Sequence, residues 1–481
     1  MSAPHPLLIG GEWIAGETVA LNQNPSDLDS PLGEYGLASL AQADDAIAAA
    51  STAAPAWARS TAAERAGLLT GVAERLWQRR EELGEQLSLE EGKTRAEGIG
   101  EAVRASRTFA YFANMLFTPQ GETLNSWRPD TSLHTRRRPV GVVGVISPWN
   151  FPLAVPAWKI APALAAGNAV VFKPAEAVPA SAWSLAQIIH EAGAPAGVFN
   201  LVTGAGRVVG ERFATHPDVA AVTFTGSTRV GQHLLATAHA SGNRRVQAEM
   251  GGKNPIVIAD DADLDLAVAA VLDSCFGSTG QRCTASSRII AMEGIHDRLV
   301  DAVAEGMTGL RVGHALDPAT TTGPVALESQ LETDLRYLEL GAQGGAELVR
   351  GGRILERDTR GHYLEPALFV GGRSDMRINQ EEIFGPIACV IRAEGLDEAI
   401  DIANDVPYGL SSGIVTGSLQ TSERFQREAR AGLISVNCSP AVSEPQAPFG
   451  GVKASSYGPR EQGPRGLDFY TEVSTHFVYT G

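Results

Sequence analysis

Four apolar runs decide the fold: P-V-G-V-V-G-V-I (139–146), N-A-V-V-F-K (168–173), V-F-N-L-V (198–202) and V-A-A-V-T-F (219–224). Each is short and rich in β-branched residues. Ala-rich stretches of helical pattern separate them, at 153–166, 180–192 and 229–240. Strands that are apolar throughout and alternate with helices predict a parallel sheet covered on both faces. A fifth run, P-I-V-I-A-D (255–260), ends the series, and past Cys283 the second half repeats the α/β rhythm through Gly372. In such sheets ligands bind beyond the carboxyl ends of the strands, so the residues that follow each run are the candidates for chemistry.

Those strand ends are polar or glycine-rich. The first run is followed by S-P-W-N-F-P (147–152), a turn stiffened by two prolines, from which Asn150 offers an amide donor. The second leads into K-P-A-E, with Lys173 and Glu176. The third precedes G-A-G-x-x-x-G (204–210) and the fourth T-G-S-T-R-V-G (225–231). Either glycine cluster opens a helix whose first amides suit a phosphate. Neither has strict G-x-G-x-x-G spacing, and each alone is weak evidence beside an ordinary glycine turn. Four such ends in one sheet make a much stronger set.

Working outward, 6–14 read as a short strand and turn, 41–117 as helical, and 118–138 as an arm broken by Pro119, Gly121 and Pro129. Past the first sheet, E-M-G-G-K-N-P (249–255) places Glu249 ahead of two glycines, on chain that can approach a ligand closely and swing. The aspartates in A-D-D-A-D-L-D (259–265) read as a helix start, not as a calcium loop. In F-G-S-T-G-Q-R-C-T (276–284), Gly280 allows a tight turn ahead of Cys283, and Arg282 puts a fixed positive charge beside the thiol. That arrangement favours a stabilised thiolate of lowered pKa. A buried structural thiol is the equally weighted alternative from this stretch alone. Later come N-Q-E-E-I-F-G-P (379–386) with Glu382 and Phe384, A-P-F-G-G (447–451) with Phe449, and K-A-S-S-Y-G-P-R-E-Q-G (453–463). The tail, L-D-F-Y-T-E-V-S-T-H-F-V-Y-T (467–480), alternates like a strand and invites pairing with another chain.

Composition narrows the classes. The 481 residues suffice for two or three packed units, and 44% apolar with 20% charged residues describes an ordinary soluble protein. A net charge of −16, with no basic run longer than Arg136–Arg138, argues against nucleic acid or an anionic membrane as partner. Four cysteines without CxxC pairs or framework spacing fit a reducing compartment. Neither a signal-peptide pattern nor an apolar run of about 20 residues is present, so a cytoplasmic location is expected.

S-P-W-N-F-P, K-P-A-E, F-T-G-S-T, E-M-G-G-K-N-P, G-Q-R-C and E-E-I-F-G-P, in this order, resemble the NAD(P)-dependent aldehyde dehydrogenase superfamily over essentially the whole chain. The resemblance implies an α/β fold: a Rossmann-type parallel-sheet cofactor domain (1–117 and 139–248), an α/β catalytic domain (249–446) and a small β oligomerisation arm (118–138 and 464–481). It implies that Cys283 is the nucleophile, Glu249 the base for deacylation and Asn150 the oxyanion donor, acting with the backbone N–H of Cys283. Lys173 and Glu176 would hold the adenosine ribose, Gly226 and Ser227 the pyrophosphate, and Glu382 the nicotinamide ribose. Trp149 and Phe384 would border the cofactor; Phe151, Trp158 and Phe449 would wall the aldehyde tunnel, with plain core packing the alternative for these aromatics. NAD is the implied cofactor with NADP as second choice, no metal is implied, and a homodimer or homotetramer is expected.

One loop departs from the family pattern. Many members read K-x-S-G-x-G-R-E where this chain reads K-A-S-S-Y-G-P-R-E (453–461), a variant resembling the subgroup that oxidises α-ketoglutaric semialdehyde (2,5-dioxopentanoate). Succinic semialdehyde and neutral or aromatic aldehydes remain alternatives. A CoA-acylating dehydrogenase is a rival that the presence of Glu249 disfavours. A non-catalytic protein of the same fold would be expected to lose Cys283, Glu249 or Asn150.

Overall fold

The computed structural model describes residues 3–242 and 245–481. Its first sheet is built on five parallel strands, and their spatial order is Arg245–Glu249, Val219–Thr225, Val142–Ile146, Ala169–Lys173, Phe199–Leu201. The hairpin Leu7–Ile9 and Glu12–Ile14 closes one edge antiparallel, and Ser456–Tyr457 returns from far along the chain to close the other. Val142–Ile146 sits centrally, with later strands added first to one side and then to the other. The order therefore reverses between Val142–Ile146 and Val219–Thr225, and the crevice there is where a doubly wound sheet binds ligands.

The helices behave as their residues dictate. Ala154–Ala165 is buried along its whole length, as an apolar helix under a parallel sheet must be. Leu40–Ala58, Ala62–Gln78 and Arg95–Met115 each begin with a capping box: Ser39 with Gln42, Thr61 with Glu64, and Thr94 with Glu97. Asp263 caps Leu264–Phe276 by accepting from Leu266 N, the helix-start role expected of that acidic stretch.

A second sheet orders Glu347–Arg350, Ala367–Gly372, Ile387–Ala393, Ser286–Met292, Asn254–Ile258, Ser411–Val415 and Leu433–Val436, parallel except for its first strand. A third joins Thr123–Leu124, Thr131–Pro139 and the terminal strand Thr471–Tyr479. The arm and the tail, each expected to lie on a neighbouring subunit, thus pair with one another, from Thr471 opposite Pro139 to Tyr479 opposite Thr131. Pairing within the chain satisfies one side of each strand and leaves the far edge of the terminal strand unpaired. Phe469, an apolar residue of the tail that reads as strand, instead lies fully buried in the helix Gly466–Tyr470 against the core beside the first sheet. Val473, Phe477 and Tyr479 do remain exposed, at 61%, 65% and 71%. Among the described residues no helix is long and apolar enough to cross a membrane.

Candidate active site

A cavity of about 870 Å³ opens at the reversal point between the two central strands. Its wall carries Trp149, Asn150, Phe151, Trp158, Gly226, Ser227, Cys283, Glu382, Phe384 and Phe449, drawn from sequence positions up to 300 apart. Three candidates stand outside that wall. Lys173 and Glu176 follow the neighbouring strand Ala169–Lys173, and Glu249 lies behind the cavity.

The turn ahead of Cys283 is held in an unusual conformation. Ser278 and Thr279 have φ of 48° and 57°, and Gly280 has φ of 68°. A Cβ on Gly280 would run into the backbone of Gly385, so only glycine fits. Glu97 holds the strained pair: it accepts from Ser278 N at 2.7 Å and from Ser278 Oγ at 3.0 Å while still capping its own helix. Asn150, buried, donates from Nδ2 to Gln281 O at 2.8 Å, tying the proline turn to the residue two before Cys283. An amide nitrogen carries two hydrogens, so this bond orients the group and leaves one for a ligand.

Arg282 does not activate the thiol. Its guanidinium is occupied by Glu97 at 3.4 Å and Asp273 at 3.6 Å. Burial, followed by the carboxyls of Glu382 and Glu249, pushes the Cys283 thiol up to about 12, opposite to the lowering expected from sequence.

Glu249 ends the strand Arg245–Glu249 and is buried. Its carboxylate accepts from Ser456 Oγ, one residue of the antiparallel edge strand directly opposite it. Burial and then Glu461 raise its pKa well above the carboxylate range, whereas Ser456, Lys159 and Arg460 oppose the rise. Lys159 and Glu461 form a fully buried ion pair, and Lys159 also donates to Thr223 Oγ1 at 3.0 Å. Glu382 accepts from Gly252 N at 2.8 Å, and burial lifts it to about 7. A Cβ on Gly251 would collide with that carboxylate, which accounts for the paired glycines after Glu249.

The aromatics line up in two pairs. Trp149 and Phe384 meet edge to face at 5.4 Å, with Phe384 at a φ of 67°; Trp158 and Phe449 stack at 5.1 Å. Phe151 and Cys283 pack against the apolar cluster that contains the second pair. On the cofactor side, Ser227 caps the helix Thr228–Ala240, whose first amides face the crevice region beside Gly226. Lys173 Nζ, pushed down to about 8 by burial, donates to Pro174 O at 2.6 Å, and exposed Glu176 accepts from Gly206 N at 2.9 Å. A helix N-terminus, an exposed carboxylate at the next strand end and a second carboxylate across the crevice form a donor and acceptor set suited to a dinucleotide.

Several participants escaped the sequence reading. Lys93 donates to Asn150 O at 2.8 Å and pairs with Glu101 at 2.5 Å, while Glu101 accepts from Leu153 N and Ala154 N; together they fix the turn that carries Asn150. Arg104 lines the cavity with Ser443 Oγ 3.5 Å away, and no carboxylate among the described residues lies within 4.0 Å of it. Lys159 had a signal: it is the one charge in the apolar stretch A-V-P-A-W-K-I-A-P-A-L-A. Arg104 had none, since it sits in an ordinary amphipathic helix, and Lys93 had none, since it sits in the short loop 92–94 between two helices.

Comparison with known proteins agrees with this geometry. Residues 13–476 match the model of the aldehyde dehydrogenase family. The chain is 43% identical over 475 residues to the alpha-ketoglutaric semialdehyde dehydrogenase of Bacillus subtilis, covering 98% of this chain and 97% of the relative. It is 42% identical to the alpha-ketoglutarate semialdehyde dehydrogenase of Haloferax volcanii, covering 99% of each. Betaine aldehyde dehydrogenase of Staphylococcus aureus, solved in complex with NAD+, superposes with a TM-score of 0.96 at 33% identity, over 99% of this chain and 95% of that one. The chain belongs to the aldehyde dehydrogenase family.

Proposed function

We propose that the protein oxidises a carboxylate-bearing semialdehyde, α-ketoglutaric semialdehyde foremost, to the carboxylic acid with NAD. The observation that carries this is the convergence of Cys283, Asn150, Glu382, Gly226 and Ser227 on one cavity at the sheet's reversal point. The relatives at 43% and 42% identity support the substrate, and so does the unpaired Arg104 in the wall, a fit for a substrate carboxylate.

In this mechanism Cys283 Sγ adds to the aldehyde carbon, its proton passing to solvent, and the aldehyde oxygen takes up the negative charge. Asn150 Nδ2 and the Cys283 backbone N–H stabilise that oxygen. Losing one donor of such a pair costs about 2.7–4 kcal/mol. When bound, NAD supplies the hydride acceptor, and loss of hydride converts the Cys283 adduct to a thioester. Gly226 and Ser227 would hold its pyrophosphate, Glu382 one ribose, and Glu176 with Lys173 the other. Glu249 then takes a proton from water, hydroxide adds to the thioester carbon, and collapse expels Cys283 as thiolate, which recovers a proton. Because Glu249 lies behind the wall, its side chain must rotate toward the thioester, and Gly251 and Gly252 permit that.

Hydrolysis is favoured over transfer to CoA because Glu249 is present. The test is a rapid-mixing measurement with semialdehyde and NAD, with and without CoA. Wild type turns over without CoA; Glu249→Gln gives a burst of at most about one NADH per site and then stalls. Absence of a burst would move Glu249 out of the hydrolytic half.

The same reading includes assembly and location. The unpaired edge of Thr471–Tyr479, with Val473, Phe477 and Tyr479 exposed along it, suits addition to a sheet of a second subunit in a closed two-fold dimer or a doubled tetramer. Four free cysteines suit the cytoplasm.

A further inference from the structure

The one loop that departs from the family pattern touches the deacylation base. Where many members carry glycine in K-x-S-G-x-G-R-E, this chain carries Ser456. Ser456 lies directly opposite Glu249 in the antiparallel pair that closes the first sheet, and its hydroxyl donates to Glu249 Oε2. The hydroxyl is itself fixed, because Gly451 N donates to Ser456 Oγ at 2.6 Å. A hydroxyl has one hydrogen, so with its acceptor side taken by Gly451 that hydrogen is directed to the carboxylate. The extra residue of the loop is anchored as well: Pro459 O accepts from Gln247 Nε2 at 2.8 Å, which keeps the edge strand in register with Arg245–Glu249. A glycine at 456 would supply neither hydroxyl contact.

We infer that Ser456 is a positioning residue for Glu249, fixing its carboxyl group between turnovers and favouring the charged form over the acid. This rests on the assignment of Glu249 as base made above. The groups facing Glu249 are Glu461, Lys159 and Arg460, with Cys283 across the site. Burial and Glu461 favour the protonated acid, which cannot accept a proton from water. Lys159 is already committed to Glu461 and Thr223, and Arg460 donates to Gly451 O. Ser456 is the group bonded directly to the carboxylate, so it decides how far into the acid range the base still works.

The test is acyl-enzyme decay across pH 5–9, by rapid quench and intact mass, on wild type, Ser456→Ala, Ser456→Gly, Ser456→Thr and Glu249→Gln holoenzymes. Ser456→Gly restores the common family residue, and NAD binding confirms that each variant is folded. Removing a hydrogen bond to a charged group should move the acid limb up by about one to two pH units in the Ala and Gly variants, a roughly 10- to 100-fold slower decay on that limb. The Thr variant should return the limb close to wild type. An unmoved limb in Ala and Gly, or a slowing equal at every pH, overturns the inference while leaving the base assignment intact. Decay in Glu249→Gln as fast as in wild type overturns the base assignment, and the inference with it.

Discussion

Replacing Lys93 by methionine removes a cation from the floor beneath Asn150, and its cost follows from the contacts. The ammonium lies 2.5 Å from Glu101, 3.4 Å from Glu91 and 2.8 Å from Asn150 O, with all three charged side chains about 1% exposed. Burial pushes Glu91 up to about 8, and Glu101 is the nearer partner, so the pair that the substitution breaks is Lys93 with Glu101. Breaking one buried pair costs about 3–5 kcal/mol. Glu101 keeps its two backbone donors at 2.8 and 3.0 Å, which places the loss nearer the lower figure. Asn150 also loses the anchor on its carbonyl, so the oxyanion donor of the proposed mechanism drifts and kcat should fall beyond what the folded fraction explains. Isothermal denaturation of the cofactor-free protein, followed by tryptophan fluorescence, reads the first effect, and kcat per NAD-binding site reads the second. A loss below about 1 kcal/mol with unchanged kcat would refute the placement of Lys93.

Arg104→Met should lower the ratio of kcat/KM for the semialdehyde to that for pentanal by about 10- to 150-fold, the worth of a hydrogen bond to a charged group; an unchanged ratio removes Arg104 from substrate recognition. NAD should outperform NADP, because exposed Glu176 accepts from a free ribose hydroxyl but repels a 2′-phosphate; equal kcat/KM with both would show that Glu176 does not face the ribose. Stability of the cofactor-free protein should fall between about pH 5 and 7. Glu90 and Glu382 at about 7 and Glu91 and Asp334 at about 8 all hold protons more tightly folded than unfolded, so their contribution is complete below about pH 4.5 and lost as pH rises through 7–8, while above pH 7 the lowered Lys253 and Lys173 act with the opposite sign; a flat profile from pH 5 to 7 contradicts these sites. Deleting 473–481 should yield monomers or aggregates by light scattering. The cut must spare Phe469 and Tyr470, which belong to the subunit's own core; a full-length monomer at micromolar concentration would exclude the proposed assembly.

The sheet at the cofactor side was legible because local chemistry and global position coincide there. Four of the five parallel strands are bare apolar runs, as burial on both faces requires; the fifth, Arg245–Glu249, reads R-V-Q-A-E and carried no such signal. Each binding turn must follow such a run, so its polar residues stand out. The arm was legible as a segment but not in its pairing. A strand's alternation reports that one face meets apolar surface, not whose surface it is, and Thr131–Pro139 and Thr471–Tyr479 are more than 300 residues apart.

The candidate site divides along a different line. Residues that present an atom to a ligand sit in short motifs with glycine or proline beside them, since close approach needs special backbone, and Cys283, Asn150 and Glu382 could all be picked out in that way. Residues that act on those residues carry no such mark. Lys93 reaches Asn150 from a loop between two helices, and Glu97 serves as a cap in its own helix and as a clamp on the nucleophile turn. The direction of the Cys283 shift was misjudged for the same reason. A neighbouring arginine in sequence implies a stabilised thiolate only if its charge is free, and the acids that occupy Arg282 come from two other helices. Ser456 lies between the two cases. The departure from the family pattern was visible in the letters, but the register of a two-residue edge strand was needed to place that hydroxyl on Glu249. A substitution in a loop otherwise remote in sequence thereby reaches the proposed base for thioester hydrolysis, and the pH dependence of that step is where its effect would be read.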